Sequence, residues 1–170
     1  MVKSQQSIGY VKFFAGDKMK IVDFYESENR EALIEKIQQA DWVAGKYLAR
    51  LLREGSFRQL VGGGTVYLLL DGEHLVSFVT LSHQDCVDDK SLYPWVGFVY
   101  TFPQYRGHRY VGRLLAHAEE TARAHGCETL YVATDHIGLY ETYGYSYWES
   151  RIDIYKEESR IYRKQLGGKV

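Results

Sequence analysis

Apolar and polar positions along this chain recur with two periods, and each change of period marks an element. Met19-Lys20-Ile21-Val22-Asp23-Phe24-Tyr25 alternates every second residue and reads as a first strand. Across residues 28–39, Ala32, Leu33 and Ile37 fall on one helical face, continued by Ala40. Asp41 is then placed to cap a second helix running from 42 to about 54. Its apolar side carries Val43, Tyr47, Leu48, Leu51 and Leu52, and Gly55 ends it. Gly62-Gly63-Gly64 invites a phosphate-loop reading, but no helix follows to supply a dipole, so a flexible turn before a strand at 65–70 is favoured. Asp71-Gly72 signals a hairpin, and 75–82 returns as the next strand. Residues 84–94, with Asp85, Asp88 and Asp89, read as a loop.

The most informative stretch comes next. Trp95-Val96-Gly97-Phe98-Val99-Tyr100-Thr101-Phe102 is aromatic and β-branched, as in a buried strand. After Pro103 the pattern turns helical, with Val111, Leu114, Leu115, Ala118 and Ala122 on one face and an end near His125-Gly126. Arg106, Gly107, His108, Arg109 and Gly112 sit at the junction. Free N–H groups and the positive end of a helix dipole converge there, and arginines add charge-assisted hydrogen bonds, so the junction suits a pyrophosphate. Strand–turn–helix units with a glycine and arginines are common, however, and most hold no phosphate. The stretch is not a Walker loop, since no Lys-Ser or Lys-Thr follows the glycines, and the glycine spacing is wrong for a dinucleotide fingerprint.

Beyond the helix, 129–133 reads as a strand and 137–143 as a short helix. Residues 145–148 and 152–155 look like a closing pair of strands, and 159–170 like a frayed tail. Residues 1–18 read as a polar start followed by an irregular apolar segment at Tyr10-Val11-Lys12-Phe13-Phe14. The order β-α-α-β-β-β-α-β-α-β-β implies one α/β (α+β) domain over 1–170, a mixed sheet flanked by helices.

Two motifs in this order point to a family. Gln104-Tyr105-Arg106-Gly107-His108-Arg109 matches Q/R-x-x-G-x-G/A except at its last position. Leu139-Tyr140-Glu141-Thr142-Tyr143-Gly144-Tyr145 matches L-Y-E-x-x-G-F/Y. Together they resemble the GNAT superfamily of N-acetyltransferases, closely over 95–148 and only in architecture before that. The resemblance implies acetyl-CoA as cosubstrate, lying where two parallel strands, 96–102 and 129–133, splay apart. It places Phe98, Val99 and Tyr100 along the acetyl and pantetheine arm. It places the pyrophosphate on the segment Arg106, Gly107, His108, Arg109, Tyr110, Val111, Gly112 and Arg113. A backbone N–H near Val99 or Tyr100 would meet the developing oxyanion. Arg109 departs from the family pattern, and its long side chain could clamp the pyrophosphate or crowd it.

The resemblance also makes Tyr140 the general acid that protonates the leaving thiolate; without the motif, the residue would read as core packing. The acceptor amine must lose a proton, since a lysine-like amine titrates near about 10.4. The strand 96–102 carries no carboxylate to take it. His83, Asp85 and His136 are candidates, each also readable as a surface or capping group, and Asp135 is equally a helix cap. The acceptor pocket is expected around 29–54 and 84–94, where Asp85, Asp88 and Asp89 could draw in a cation or simply be solvated. The function expected is acetyl transfer to an amine, first of a small molecule. A protein lysine or N-terminus, or a non-catalytic acyl-CoA sensor, stays open, as does a homodimer.

Composition narrows the partners further. With 21 Lys and Arg against 22 Asp and Glu, the net charge is −1, which disfavours a nucleic-acid or anionic-membrane partner and makes any anion site local. The six histidines form no metal motif, and no G-x-S-x-G elbow is present. No apolar run approaches a membrane span, the first residues lack a signal core, and two cysteines make no disulfide framework. A cytoplasmic location is therefore expected.

Overall fold

The most apolar stretches of the chain form central strands covered on both faces. A computed structural model describes residues 12–13 and 18–167. In chain order the elements are β1 (Lys12–Phe13), β2 (Met19–Asp23), α1 (Arg30–Gln38), α2 (Val43–Glu54), the one-turn α3 (Phe57–Leu60), β3 (Gly64–Asp71), β4 (His74–Ser82) and β5 (Trp95–Thr101). A 3-10 turn (Pro103–Tyr105), α4 (Tyr110–Ala124), β6 (Thr129–Ala133), a second 3-10 turn (Tyr140–Tyr143), β7 (Ser146–Ile152) and β8 (Glu158–Gln165) follow. The expected mixed sheet flanked by helices is present, with β1 and α3 added.

The sheet runs β1-β2-β3-β4-β5-β6-β8-β7. Every neighbouring pair is antiparallel except β5 and β6. Strand β3 shows why the sheet needs two covers. Tyr67 and Leu69 join the core beneath α4, whereas Val66, Leu68 and Leu70 join the core beneath α1 and α2. A continuous apolar run is what a strand buried on both faces requires. The hairpin at Asp71-Gly72 and the turn at Gly62-Gly63-Gly64 fall where the sequence places them, the latter held by Gly63 N–H to Arg58 O at 2.8 Å.

Three local expectations are corrected. Asp41 does not cap α2: the N-cap is Trp42, in extended conformation with no side-chain hydrogen bond. The short helix expected at 137–143 is a 3-10 turn over Tyr140–Tyr143. The closing strands are not 145–148 and 152–155, and residues 159–165 are not a frayed tail. Asp153 is a turn residue whose Oδ1 accepts the N–H groups of Tyr155 and Glu157, and Ile152, Ile154 and Tyr155 are exposed around that turn. Their apolar character imitates a strand, while β8 hides behind its charges. Arg160 lies over the Tyr147 ring at 4.5 Å and Arg163 over Trp148 at 4.7 Å, and Ile161 and Tyr162 are fully buried. The polar start and apolar segment expected before residue 18 lie outside the described residues, apart from Lys12–Phe13.

Because β8 lies between β6 and β7, Tyr162→Ala should destabilise the protein by about 3 kcal/mol or more, read as a lower urea midpoint at unchanged slope. A change within about 0.5 kcal/mol would mean that β8 is not part of the folded sheet.

Candidate active site

Strands β5 and β6 pair only where β5 begins and β6 nears its end, Trp95 with Tyr131 and Val96 with Val132. Beyond that they diverge, so the edge of β5 from Gly97 onward has no strand beside it. A β-bulge starts the divergence. The β4–β5 register shifts between Phe78–Tyr100 and Thr80–Gly97, and Phe98 takes a left-handed φ of 46°. The bulge puts Gly97 and Phe98 on the same face, towards α1 and α2, while Val99 packs towards α4.

Where β5 ends, the chain turns into α4 and leaves donors unused. Among the described residues, no backbone hydrogen bond takes up the N–H groups of Gly107, His108, Arg109, Tyr110 or Val111, and α4 has no side-chain N-cap. An uncapped helix start of this kind carries partial positive charge and a nest of donors. Gly107 has φ 84° and Arg109 φ 57°, so one glycine and one arginine take the left-handed positions of the turn. The Arg106 Nε donates to Thr101 O at 3.0 Å, tying the turn back to β5. A cleft of about 690 Å³ joins the open strand edge to this turn. Val99, Tyr100, Arg106, Gly107, Arg109 and Val111 line it, with Asp41 and Trp42 on one side and His136 and Tyr143 on the other.

Tyr140 lies in the core beneath α4, 4% exposed, beside the cleft-lining Leu139 and Tyr143 but not itself on the cleft wall, with its ring edge-on to Tyr145 at 5.9 Å. Burial pushes its hydroxyl pKa well up, and the Asp85 charge adds to this, so the phenol stays protonated at neutral pH. Its turn is pinned from beneath. Lys164 of β8 donates to Glu119 of α4 at 2.7 Å and to Tyr143 O at 2.8 Å, and the Tyr145 hydroxyl donates to Glu119 at 3.2 Å.

The model of the Acetyltransferase (GNAT) family matches residues 18–145. The chain belongs to that family. Among solved structures, an acetyltransferase from Streptococcus agalactiae is 20% identical, with a TM-score of 0.61 over 89% of this chain and 99% of that one. Aminoglycoside 6'-acetyltransferase type Ii is 17% identical, with a TM-score of 0.64 over 88% and 99%. An aminoglycoside 6'-N-acetyltransferase in complex with coenzyme A is 13% identical, with a TM-score of 0.64 over 88% and 98%. At those identities the likeness is one of fold. No curated protein matches the sequence.

The cleft combines an unpaired strand edge, which suits amides, with a donor-rich turn, which suits phosphates, and both groups occur in coenzyme A. The buried Tyr100 hydroxyl, on the cleft wall, has no hydrogen-bond partner among the described residues, a polar atom left for a ligand. Of the residues expected from the sequence, Val99, Tyr100 and the turn come together. Gly112 lies behind it, where a Cβ would approach Tyr143 to 2.6 Å, and Arg113 places its guanidinium 5.6 Å from the Tyr110 ring. His108 stacks on Tyr110 at 5.4 Å. Phe98 turns to the opposite face. Asp135 is exposed and caps no helix. The aspartates of the 84–94 loop part company: Asp88 is exposed, Asp89 binds Arg151 at 2.5 Å, and Asp85 reaches under β5. Trp42 is a cleft residue that helical periodicity could not reveal, its ring stacked on Tyr100 at 5.6 Å and 6°. Among the described residues no His, Cys, Asp and Glu group could hold a metal, and no helix is long and apolar enough to cross a membrane.

Arg109 holds a conformation that costs an L-residue about 1–2 kcal/mol. Arg109→Gly should therefore raise Tm by a few degrees, while weakening acetyl-CoA binding and flattening its salt dependence, as calorimetry at two ionic strengths would read. Tighter binding by the variant would instead mean that the side chain crowds the phosphates.

Proposed function

We propose that this GNAT acetyltransferase moves the acetyl group of acetyl-CoA directly onto the amine of a small molecule. The observation that carries the reading is the divergence of β5 and β6 beside the uncapped start of α4. In this reading the N–H groups of residues 107–111 bind the pyrophosphate, with Arg106 and Arg109 adding charge. The open edge of β5 from Gly97 to Thr101 takes up the pantetheine amides. An activated thioester is what acetyl-CoA supplies. The bulge at Phe98 and Val99 turns main-chain N–H groups out of the β4 ladder, where they can stabilise negative charge on the reacting carbonyl oxygen. Tyr140 holds the proton destined for the departing sulfur.

The small-molecule acceptor is supported by the neighbours named for aminoglycosides. Two free cysteines, Cys86 and Cys127, fit a cytoplasmic setting, and one domain accounts for the described chain.

Two measurements test this. Acetyl-CoA should raise Tm, and thiol release should depend on added amine. Acetyl-CoA binding with no amine-dependent release would favour a non-catalytic acyl-CoA module. Tyr140→Phe should lower kcat by ten-fold or more and leave the acetyl-CoA dissociation constant within two-fold. A loss of turnover below about three-fold would remove Tyr140 from the mechanism.

A further inference from the structure

The face of β5 away from α4 holds a carboxylate that the mechanism so far leaves unused. Asp85 follows β4 and reaches beneath β5. A Cβ on Gly97 would stand 2.8 Å from Asp85 Oδ2 and 3.1 Å from Thr80 Oγ1. Gly97 is not in a left-handed conformation, so glycine is needed there for space, and the space is filled by this carboxylate. Asp85 Oδ1 accepts the Cys86 N–H at 2.6 Å, and the Cys86 side chain also bonds to the carboxylate. Aromatic rings stand over the same face: Phe98 lies 6.4 Å from Tyr47 and 6.5 Å from Trp42. The turn after β7 is fastened alongside, with Ile154 N–H donating to Cys86 O at 2.8 Å. That turn brings up Tyr155, a largely exposed residue whose hydroxyl pKa is raised by partial desolvation and then by the charges of Tyr47, Cys86, Asp85 and Asp153. Asp85 thus sits beneath the β5 bulge on the face that carries these rings, and its charge is felt at Tyr140.

We propose that Asp85 is the base that takes the proton from a primary ammonium acceptor, with Gly97 as the residue that makes room for it. The inference rests on the acetyl-transfer reading above. The carboxylate accepts one proton from R–NH3⁺ and later releases it to solvent. The freed nitrogen forms its bond to the acetyl carbon and the carbon–sulfur bond breaks. The second nitrogen proton goes to solvent, and the sulfur receives a proton from Tyr140, which solvent restores. Balance is reached with R–NH–acetyl, the free thiol and one H⁺. The groups facing Asp85 from neighbouring elements are Cys86, Tyr140 and Tyr155. Burial raises the Asp85 pKa above the usual carboxylate range, which suits a base that must take and release a proton. Its charge in turn raises the Tyr140 pKa, so neutralising Asp85 makes Tyr140 a better acid at the moment a proton is needed.

The test compares wild type, Asp85→Asn and Gly97→Ala with benzylamine, 2-phenylethylamine, spermidine and kanamycin A as acceptors. Asp85→Asn keeps an oxygen for the Cys86 N–H. It should lower kcat/KM by at least thirty-fold, abolish the acid limb of the pH profile and leave the acetyl-CoA dissociation constant within two-fold. It should also raise Tm at pH 8, with the gain closing towards pH 4. A raised carboxyl pKa means that the folded state binds the extra proton, so wild-type stability falls as pH climbs through that range. Gly97→Ala keeps Asp85 but sets a methyl group on its carboxylate, and should lower kcat/KM at least ten-fold with acetyl-CoA binding retained. The assignment is overturned if Asp85→Asn stays within three-fold of wild type with an unchanged profile, or if Gly97→Ala is fully active. It is equally overturned if wild type binds acetyl-CoA yet acetylates none of the four amines. Absence of acetyl-CoA binding would instead bring down the acetyl-transfer reading beneath it.

Discussion

Two parallel strands that pair over only two residues are the feature on which the rest of this structure depends. Paired only at Trp95–Tyr131 and Val96–Val132, β5 and β6 leave main-chain groups unmatched in the middle of a sheet, which a folded protein otherwise avoids. The separation is sustained by what fills and frames it. The Phe98 bulge bends β5 away, and Trp42 stacks on Tyr100 at the rim of the gap. A ligand carrying amides and phosphates satisfies both the strand edge and the donors at residues 107–111, so a local defect in pairing becomes a binding surface.

The two faces of the gap divide the chemistry between them. In the proposed mechanism the α4 side would supply phosphate binding and the buried phenol, and the α1–α2 side the aromatic rings and the Asp85 carboxylate. Neither side could be built by one segment alone. The Tyr140 turn is held by Glu119 and Lys164, one from α4 and the other from β8, so the last strand fixes the proposed acid from beneath. A charged pair of this kind, mostly shielded from water and saturated by the Tyr145 hydroxyl and Tyr143 carbonyl, is valued more for the geometry it enforces than for net stability.

Much of this was legible in the residues. Period-two and helical patterns placed α1, α2, β3–β6 and α4, because those elements bury one face or both and their apolar residues must recur accordingly. Motif spacing indicated the turn before α4 and Tyr140. What escaped had a physical reason in each instance. Strand β8 reads as a polar tail because Arg160 and Arg163 lie over aromatic rings rather than in water. Ile152 and Ile154 read as a strand end although they surround a turn organised by Asp153. Asp85 reads as one of three loop aspartates, since its place beneath Gly97 depends on a contact between segments twelve residues apart that no local periodicity records.

The central claim, that the open edge of β5 and the start of α4 together grip an acyl-CoA, is tested most directly by amide hydrogen exchange with and without acetyl-CoA. The account predicts slowed exchange for the N–H groups of residues 107–111 together with those in 97–101 that face the gap. Unchanged exchange at both segments under saturating acetyl-CoA would contradict it.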